Sequence, residues 1–190
     1  QESASPESDR YEGNPYKVLD IHVHVQPFSW EYKPYTDGES LLKIMNKAGI
    51  EIACINGTEG ILGGNTFSAD EDTREVSAKE KKFVWFAVIQ PWFEGNREYI
   101  SNCFETLGCA GIKIHPRTHG CDITDERYDP VSEASEKYSD PILSHTGEVQ
   151  AHSDPVQFAD IAEKYPAGRF ILGHTGETFK GMNTCIDLLN

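Results

Sequence analysis

The sequence has no apolar run near the ~18–20 residues that span a bilayer. Its longest aromatic-aliphatic stretch, Phe83 to Ile89, has the length of a buried strand. A membrane span is therefore excluded, and no membrane partner is expected. Basic residues are scarce: 17 Lys and Arg stand against 31 Asp and Glu, a formal net charge of -14. Nucleic-acid binding needs clustered Lys and Arg. The one short cluster, Lys79, Lys81 and Lys82, reads as the solvated end of a helix, so no nucleic-acid partner is expected. The five cysteines, Cys54, Cys103, Cys109, Cys121 and Cys185, form no C-x-x-C pair and are odd in number. That argues against a disulfide scaffold and a cysteine zinc site, and leaves small buried residues. Gly57, Gly60, Gly63 and Gly64 lack the Lys-Ser/Thr ending of a phosphate loop. Ser144 lacks the pattern of a nucleophile elbow. The opening QESASPESDR carries no hydrophobic signal region and reads, through residue 16, as a flexible leader. A cytoplasmic protein is expected.

What is present is one domain's worth of core. At 190 residues and 38% hydrophobic content, folding can bury roughly 70% of the unfolded chain's surface. From Lys17 onward, short apolar runs alternate with longer amphipathic ones. Strands are expected at Lys17–Val25, Ile50–Ile55, Phe83–Ile89, Gly111–His115, Ile142–His145 and Arg169–His174. Helices are expected at about Gly38–Lys47, Phe67–Glu80, Asn96–Leu107, Pro130–Tyr138, Pro155–Lys164 and Glu177–Leu188. Six β-α units in strict alternation predict a parallel sheet with helical crossovers. It would be a doubly wound sheet or part of a (β/α)8 barrel. One repeat is visible: Ser144-His145-Thr146-Gly147-Glu148 recurs as Gly173-His174-Thr175-Gly176-Glu177. Each copy ends an apolar run, so both histidines should emerge at one rim of the sheet.

The first strand carries Asp20, His22 and His24 at alternate positions, all facing one side, while Ile21, Val23 and Val25 face the other. Burying unpaired imidazoles costs roughly 1–3 kcal/mol each, and a divalent metal offsets that cost. An exposed edge strand with solvated histidines is the alternative. His145 and His174, each ending a later strand, favour the metal. In Gly111-Ile112-Lys113-Ile114-His115-Pro116 the same parity puts Lys113 and His115 inside. A buried lysine needs an anionic partner, a lowered pKa or a modification. Lys113 could bind a substrate carboxylate, act as acid or base, or be carbamylated between two metals. Arg117 and His119 follow on the same rim, where solvated loop positions are the default reading. His152 reads as a surface residue. Glu148 and Glu177 either orient ligands or favour helix starts.

These motifs resemble the amidohydrolase superfamily, and within it the amidohydrolase-2 group that includes aminocarboxymuconate semialdehyde decarboxylase. The resemblance rests on Asp20-x-His22-x-His24, on Gly111 to Pro116, and on the two His-Thr-Gly segments, and covers about residues 17 to 190. It implies a (β/α)8 barrel with a metal at its C-terminal mouth. His22, His24 and His145 would bind the metal. His174 would bind a second metal or act as acid/base on metal-bound water. From their own places on the interior face and rim, Lys113 is expected to be catalytic, and His115 and Arg117 to contact substrate. The metal is expected to be zinc, with manganese and iron as alternatives, and the substrate a small carbonyl compound; a homo-oligomer stays open. Hydrolysis is the leading expectation; decarboxylation and a non-catalytic metal-binding fragment are the alternatives. The family's strand-eight aspartate has no counterpart here, because the sequence ends after the sixth unit. An incomplete barrel is therefore expected, with six of eight β-α units and an unpaired edge on strand six.

Overall fold

The computed structural model describes residues 17–26 and 37–189. The leader assigned to residues 1–16 lies outside them. Helices flank a parallel sheet in the order β1 (Val18–Val25), α1 (Gly38–Ala48), β2 (Ile50–Gly57), α2 (Thr58–Ile61), α3 (Thr66–Lys79), β3 (Phe83–Trp85) and β4 (Ala87–Val88). There follow α4 (Asn96–Asn102) with a π-helical turn at Cys103–Leu107, β5 (Ile112–Ile114), α5 (Pro116–His119), α6 (Asp129–Tyr138), β6 (Pro141–His145), α7 (Phe158–Lys164), β7 (Arg169–Gly173) and α8 (Phe179–Asp187). Local chemistry sets most of these boundaries. In α1 the Asp37 carboxylate accepts from Ser40 N, Leu41 and Met45 are buried one turn apart, and Gly49 stops the helix at φ 73°. Asn65 caps α3 in the same way, by accepting from Ser68 N.

The strands pair in parallel as β1-β2-β3 and β4-β5-β6-β7. The single third strand expected over Phe83–Ile89 is thus split in two. Its first half lies against β2, and Phe86 N donates to Ile55 O at 2.9 Å. Its second half lies against β5, with Ala87 N donating to Gly111 O and Ile89 N to Lys113 O. At this handover Val88 N faces the side that β2 has left. The buried Asp70 of α3 replaces the missing strand, its two oxygens 3.0 and 3.1 Å from Val88 N, and Tyr99 OH donates to Oδ2 at 2.8 Å. Burial pushes the Asp70 carboxyl up to about 7 despite these hydrogen bonds.

Strand alternation sorts side chains into two apolar layers. Outward residues such as Val23, Val25, Ala53, Ile55, Trp85, Ile112, Ile114 and Ile142 join the helices in the main core. Inward residues Cys54, Phe86 and Leu143, flanked by Val84, Ala110 and Ile171, fill the inside of the arc. The next inward positions, two residues toward the strand C-termini, are Asn56, His145 and Gly173. The apolar floor thus gives way to a polar mouth. Among the described residues no pairing joins β7 to β1. Leu19 and Ile21 on the outer face of β1 stay exposed. The architecture is part of a (β/α)8 barrel, six of its eight units.

The last helix starts at Phe179 rather than Glu177, because four residues before it wind left-handed. His174, Thr175, Gly176 and Glu177 have φ of 64°, 49°, 75° and 60°. For L-residues other than glycine this costs roughly 1–2 kcal/mol each, so tertiary contacts must hold it. The first repeat supplies them. Thr146 is fully buried; its hydroxyl donates to Gly173 O at 2.6 Å and accepts from Gly176 N at 3.1 Å. Glu148 N donates to Gly176 O at 3.1 Å. The Glu148 carboxylate accepts from Thr178 Oγ1 and pairs with Lys180. The backbones of Gly176 and Gly181 touch: a Cβ on Gly176 would lie 2.6 Å from the Gly181 carbonyl carbon.

Two predictions follow from these contacts. Asp70→Ala strands Val88 N and Tyr99 OH and should cost about 1–3 kcal/mol, with Asp70→Asn costing less, read from denaturant midpoints. The folded chain holds the Asp70 proton to higher pH than the unfolded chain does. Its contribution should therefore be complete below about pH 4 and be lost as pH rises through about 7; Asp70→Asn should flatten that decline. A methyl at Gly181 would overlap the Gly176 carbonyl. Gly181→Ala should lower stability by about 1–3 kcal/mol, and unchanged thermal unfolding would show that the left-handed turn does not need this approach.

Candidate metal centre

β1 delivers two imidazoles to the mouth. His22 and His24 are half-buried, and their ring centroids lie 4.8 Å apart edge to face. Asp20, expected on the same face, lies where the β1–β2 register slips. Its Oδ1 accepts from His22 N at 3.1 Å, so it braces the strand's backbone. His24 stands in register with Asn56 of β2, and His24 Nδ1 is 2.5 Å from Asn56 Oδ1. The His22 ring reaches across to β7. A Cβ on Gly173 would sit 3.2 Å from its Cε1, and the His22 and His174 centroids are 4.8 Å apart. His145, buried at the end of β6, lies 4.6 Å from His174 and stacks on His115 at 3.9 Å. Residues separated by most of the chain, His22, His24, His145 and His174, therefore form one continuous group of rings, with His174 its exposed member.

Lys113 lies under this group. It is fully buried, and its Nζ is 3.2 Å from His22 Nε2. Ile112 and Ile114 point the other way into the core, as the alternation requires. His115 is half-buried, and its Nδ1 accepts from Thr118 N and lies 3.0 Å from Thr118 Oγ1, which caps α5. Arg117 is exposed on α5, and its backbone N–H donates to Ser153 Oγ at 3.0 Å. His119 departs from the solvated loop position expected of it. The chain turns into α5 directly after His115, which folds the His119 ring inward, 6% exposed, with Nδ1 2.8 Å from Tyr128 OH. His152 pairs with Asp122 at 2.9 Å, away from the rings.

Glu177 and Gln150 complete the mouth. Donor atoms of His145, His174 and Glu177 lie within 4.8 Å of one another. Gln150 bridges them: its Oε1 is 2.7 Å from His145 Nε2, and its Nε2 donates to Glu177 Oε2. The two repeat glutamates thus diverge. Glu148 braces the turn, and the left-handed turn aims Glu177 back at the histidines. No local pattern distinguishes them in sequence, since the difference lies in backbone handedness. Gln150 carries no sequence signal at all.

Burial disfavours the charged form of His22, His115, His145 and His174. It lowers His22 to about 2, helped by Lys113, and His115 to about 2, helped by His145. His145 falls to about 4 and His174 is also lowered, in both cases chiefly by burial. The same desolvation brings Lys113 down to about 7. Neutral imidazoles are the form that ligates a metal. Several of them beside one carboxylate fit a divalent ion of borderline softness.

Comparison with known proteins bears on this arrangement. The sequence profile of the amidohydrolase family matches residues 61–188, more than half of the chain and including β5 to β7. Among curated proteins, none matches this chain. A 5-carboxyvanillate decarboxylase from Novosphingobium aromaticivorans, solved with manganese and 3-methoxy-4-hydroxy-5-nitrobenzoic acid, superposes with a TM-score of 0.68 at 17% identity. That match covers 86% of this chain and 67% of that one. A protein described as a probable 2-pyrone-4,6-dicarboxylic acid hydrolase from Acinetobacter baumannii, with citric acid bound, gives 0.64 at 13% identity, over 92% and 67% of the two chains. A TIM-barrel protein from Bordetella bronchiseptica gives 0.67 at 15%, over 92% and 73%. At these identities the likeness establishes the barrel. The profile match adds the lineage: the chain belongs to the amidohydrolase family.

Proposed function

We propose that this chain carries the metal centre of a divalent-metal-dependent hydrolase acting on a small carbonyl compound that bears a carboxylate. The observation behind it is the ring group at the mouth: His24, His22, His174 and His145 in successive ring contact above a buried lysine. His22, His24 and His145 would hold the ion, with His174 and Glu177 beside it. Zinc is the first choice, because imidazole suits it; manganese is the second, because the Novosphingobium decarboxylase holds it. When bound, such an ion polarises a carbonyl and acidifies water.

The chain's own residues supply the rest. His174, exposed beside His145, accepts and returns a proton at a ring nitrogen. Lys113 carries a proton on Nζ in a site from which water is largely shut out. With a pKa brought down to about 7, it can hold a substrate carboxylate as a cation or release its proton. His115, fixed by its cap on α5 and by stacking on His145, narrows the mouth from one side. Arg117, exposed at the start of α5, stands where it can meet an anionic substrate arriving from solvent.

Decarboxylation is the second reading, favoured by the likeness to 5-carboxyvanillate decarboxylases from Novosphingobium and Sphingomonas. Turnover of candidate carboxylates in oxygen-18 water separates the two. Label in the organic product supports hydrolysis, and release of CO2 with an unlabelled organic product supports the lyase. Dialysis against a chelator should abolish turnover, and zinc or manganese should restore it; activity indifferent to chelation would refute metal dependence. Lys113→Met keeps the buried stem but removes Nζ. It should retain metal and lose about 10²-fold or more in kcat; wild-type rates in that variant would remove Lys113 from the chemistry.

A further inference from the structure

We infer that Asn56 is a positioning residue for the metal centre, its side-chain amide setting which nitrogen His24 offers to a cation. The inference rests on the metal-dependent reading above. Asn56 ends β2 directly beside His24 on β1, the two being register partners in the parallel pair. The 2.5 Å separation of His24 Nδ1 and Asn56 Oδ1 needs a proton between them. An amide oxygen only accepts, so that proton is the His24 Nδ1–H. The imidazole is thereby held in the Nδ1–H tautomer and in one ring orientation, and its lone pair is placed on Nε2. Metal-ligating histidines depend on such a partner at the second nitrogen.

Two further observations separate this role from ordinary packing. Asn56 is completely buried, yet its Nδ2 has no hydrogen-bond partner among the described residues. A buried amide satisfied on one side only is worse for stability than an apolar side chain of the same size. The inward position before it, Cys54, belongs to the apolar floor. The polar residue therefore serves the one side-chain hydrogen bond that it makes among the described residues, which is with His24. The second observation is the contrast along β1. His22 has Lys113 Nζ at its Nε2, so the two strand-one imidazoles are oriented by separate partners on separate strands. Asn56 thus governs His24 without touching the His22 arrangement.

The test uses the full chain with Zn²⁺ alone as the probe. Three quantities are measured: zinc affinity by competition with a chromophoric chelator, the His24 tautomer from imidazole ¹⁵N shifts of the metal-free protein, and the unfolding midpoint. Asn56→Leu should weaken zinc about 10–100-fold and release the His24 tautomer, with an unfolding midpoint at or above wild type. Asn56→Asp, which keeps an acceptor at the same place, should hold the Nδ1–H tautomer and bind zinc close to wild type. Wild-type affinity and tautomer in Asn56→Leu would overturn the inference, as would an Nε2–H tautomer in the unsubstituted protein. If the unsubstituted chain took up no zinc, the metal reading would fall and the positioning role toward a cation with it. The tautomer would then still report whether Asn56 orients the ring. Should Asn56→Leu not fold, the wild-type tautomer and Asn56→Asp decide the question.

Discussion

The two-residue period of the strands is the constraint from which the rest follows. In a curved parallel sheet one face meets helices and the other meets itself. The outward face can be uniformly apolar, and here Ile112, Ile114, Ile142 and Val23 make it so. The inward face closes on a narrow space that apolar residues fill lower down, at Cys54, Phe86 and Leu143. Polar side chains at the next inward level have nowhere to go but toward one another. The histidines of β1, of β6 and of the turn after β7, with Lys113 beneath them, are thus brought into contact whatever their distance in sequence. Desolvation then disfavours charge on His22, His145 and His174. Fold and site share one geometric cause.

The same period explains what could be read from the residues alone. His22, His24, Lys113, His115, His145 and His174 were legible because each sits on, or one step past, a strand whose alternation is unambiguous. The caps of α1 and α3 were legible because Asp37, Asn65 and Gly49 act within three or four residues. What escaped depends on partners distant in sequence. The split of the third strand is invisible in Phe83–Ile89, since it arises where β2 ends and β5 begins. Asp70 reads as one more acid on a polar helix, and only the position of Val88 gives it a buried task. His119 reads as a loop residue until Tyr128 is known to stand beside it. Glu148 and Glu177 occupy the same place in a repeated tetrad, yet only one faces the histidines.

That divergence shows how the repeat works. Two copies of His-Thr-Gly-Glu do not form two equivalent half-sites. The first copy is a clamp: Thr146 and the Glu148 backbone hold the second in a left-handed turn that its own residues disfavour. Strain concentrated at His174 and Thr175 is offset by buried hydrogen bonds from the neighbouring strand. The reward is directional. A right-handed helix begun at Glu177 would carry that carboxylate outward with α8, and the left-handed turn returns it to within reach of His145.

Lys113 shows how tightly the centre is balanced. Among the described residues no carboxylate pairs with it, and its neighbours are imidazoles held neutral by the same burial. An ammonium 3.2 Å from His22 Nε2 repels any cation that His22 binds. Two outcomes relieve that repulsion. One is loss of the Lys113 proton, which its depressed pKa makes inexpensive. The other is the arrival of an anion between lysine and cation, which a carboxylate-bearing substrate supplies. In the second case, on the function proposed above, the lysine and the ion would bind the substrate jointly, each weakened by the other until the anion enters. A site built this way would favour carboxylates over neutral carbonyl compounds. The cause would be one buried amine placed by strand parity.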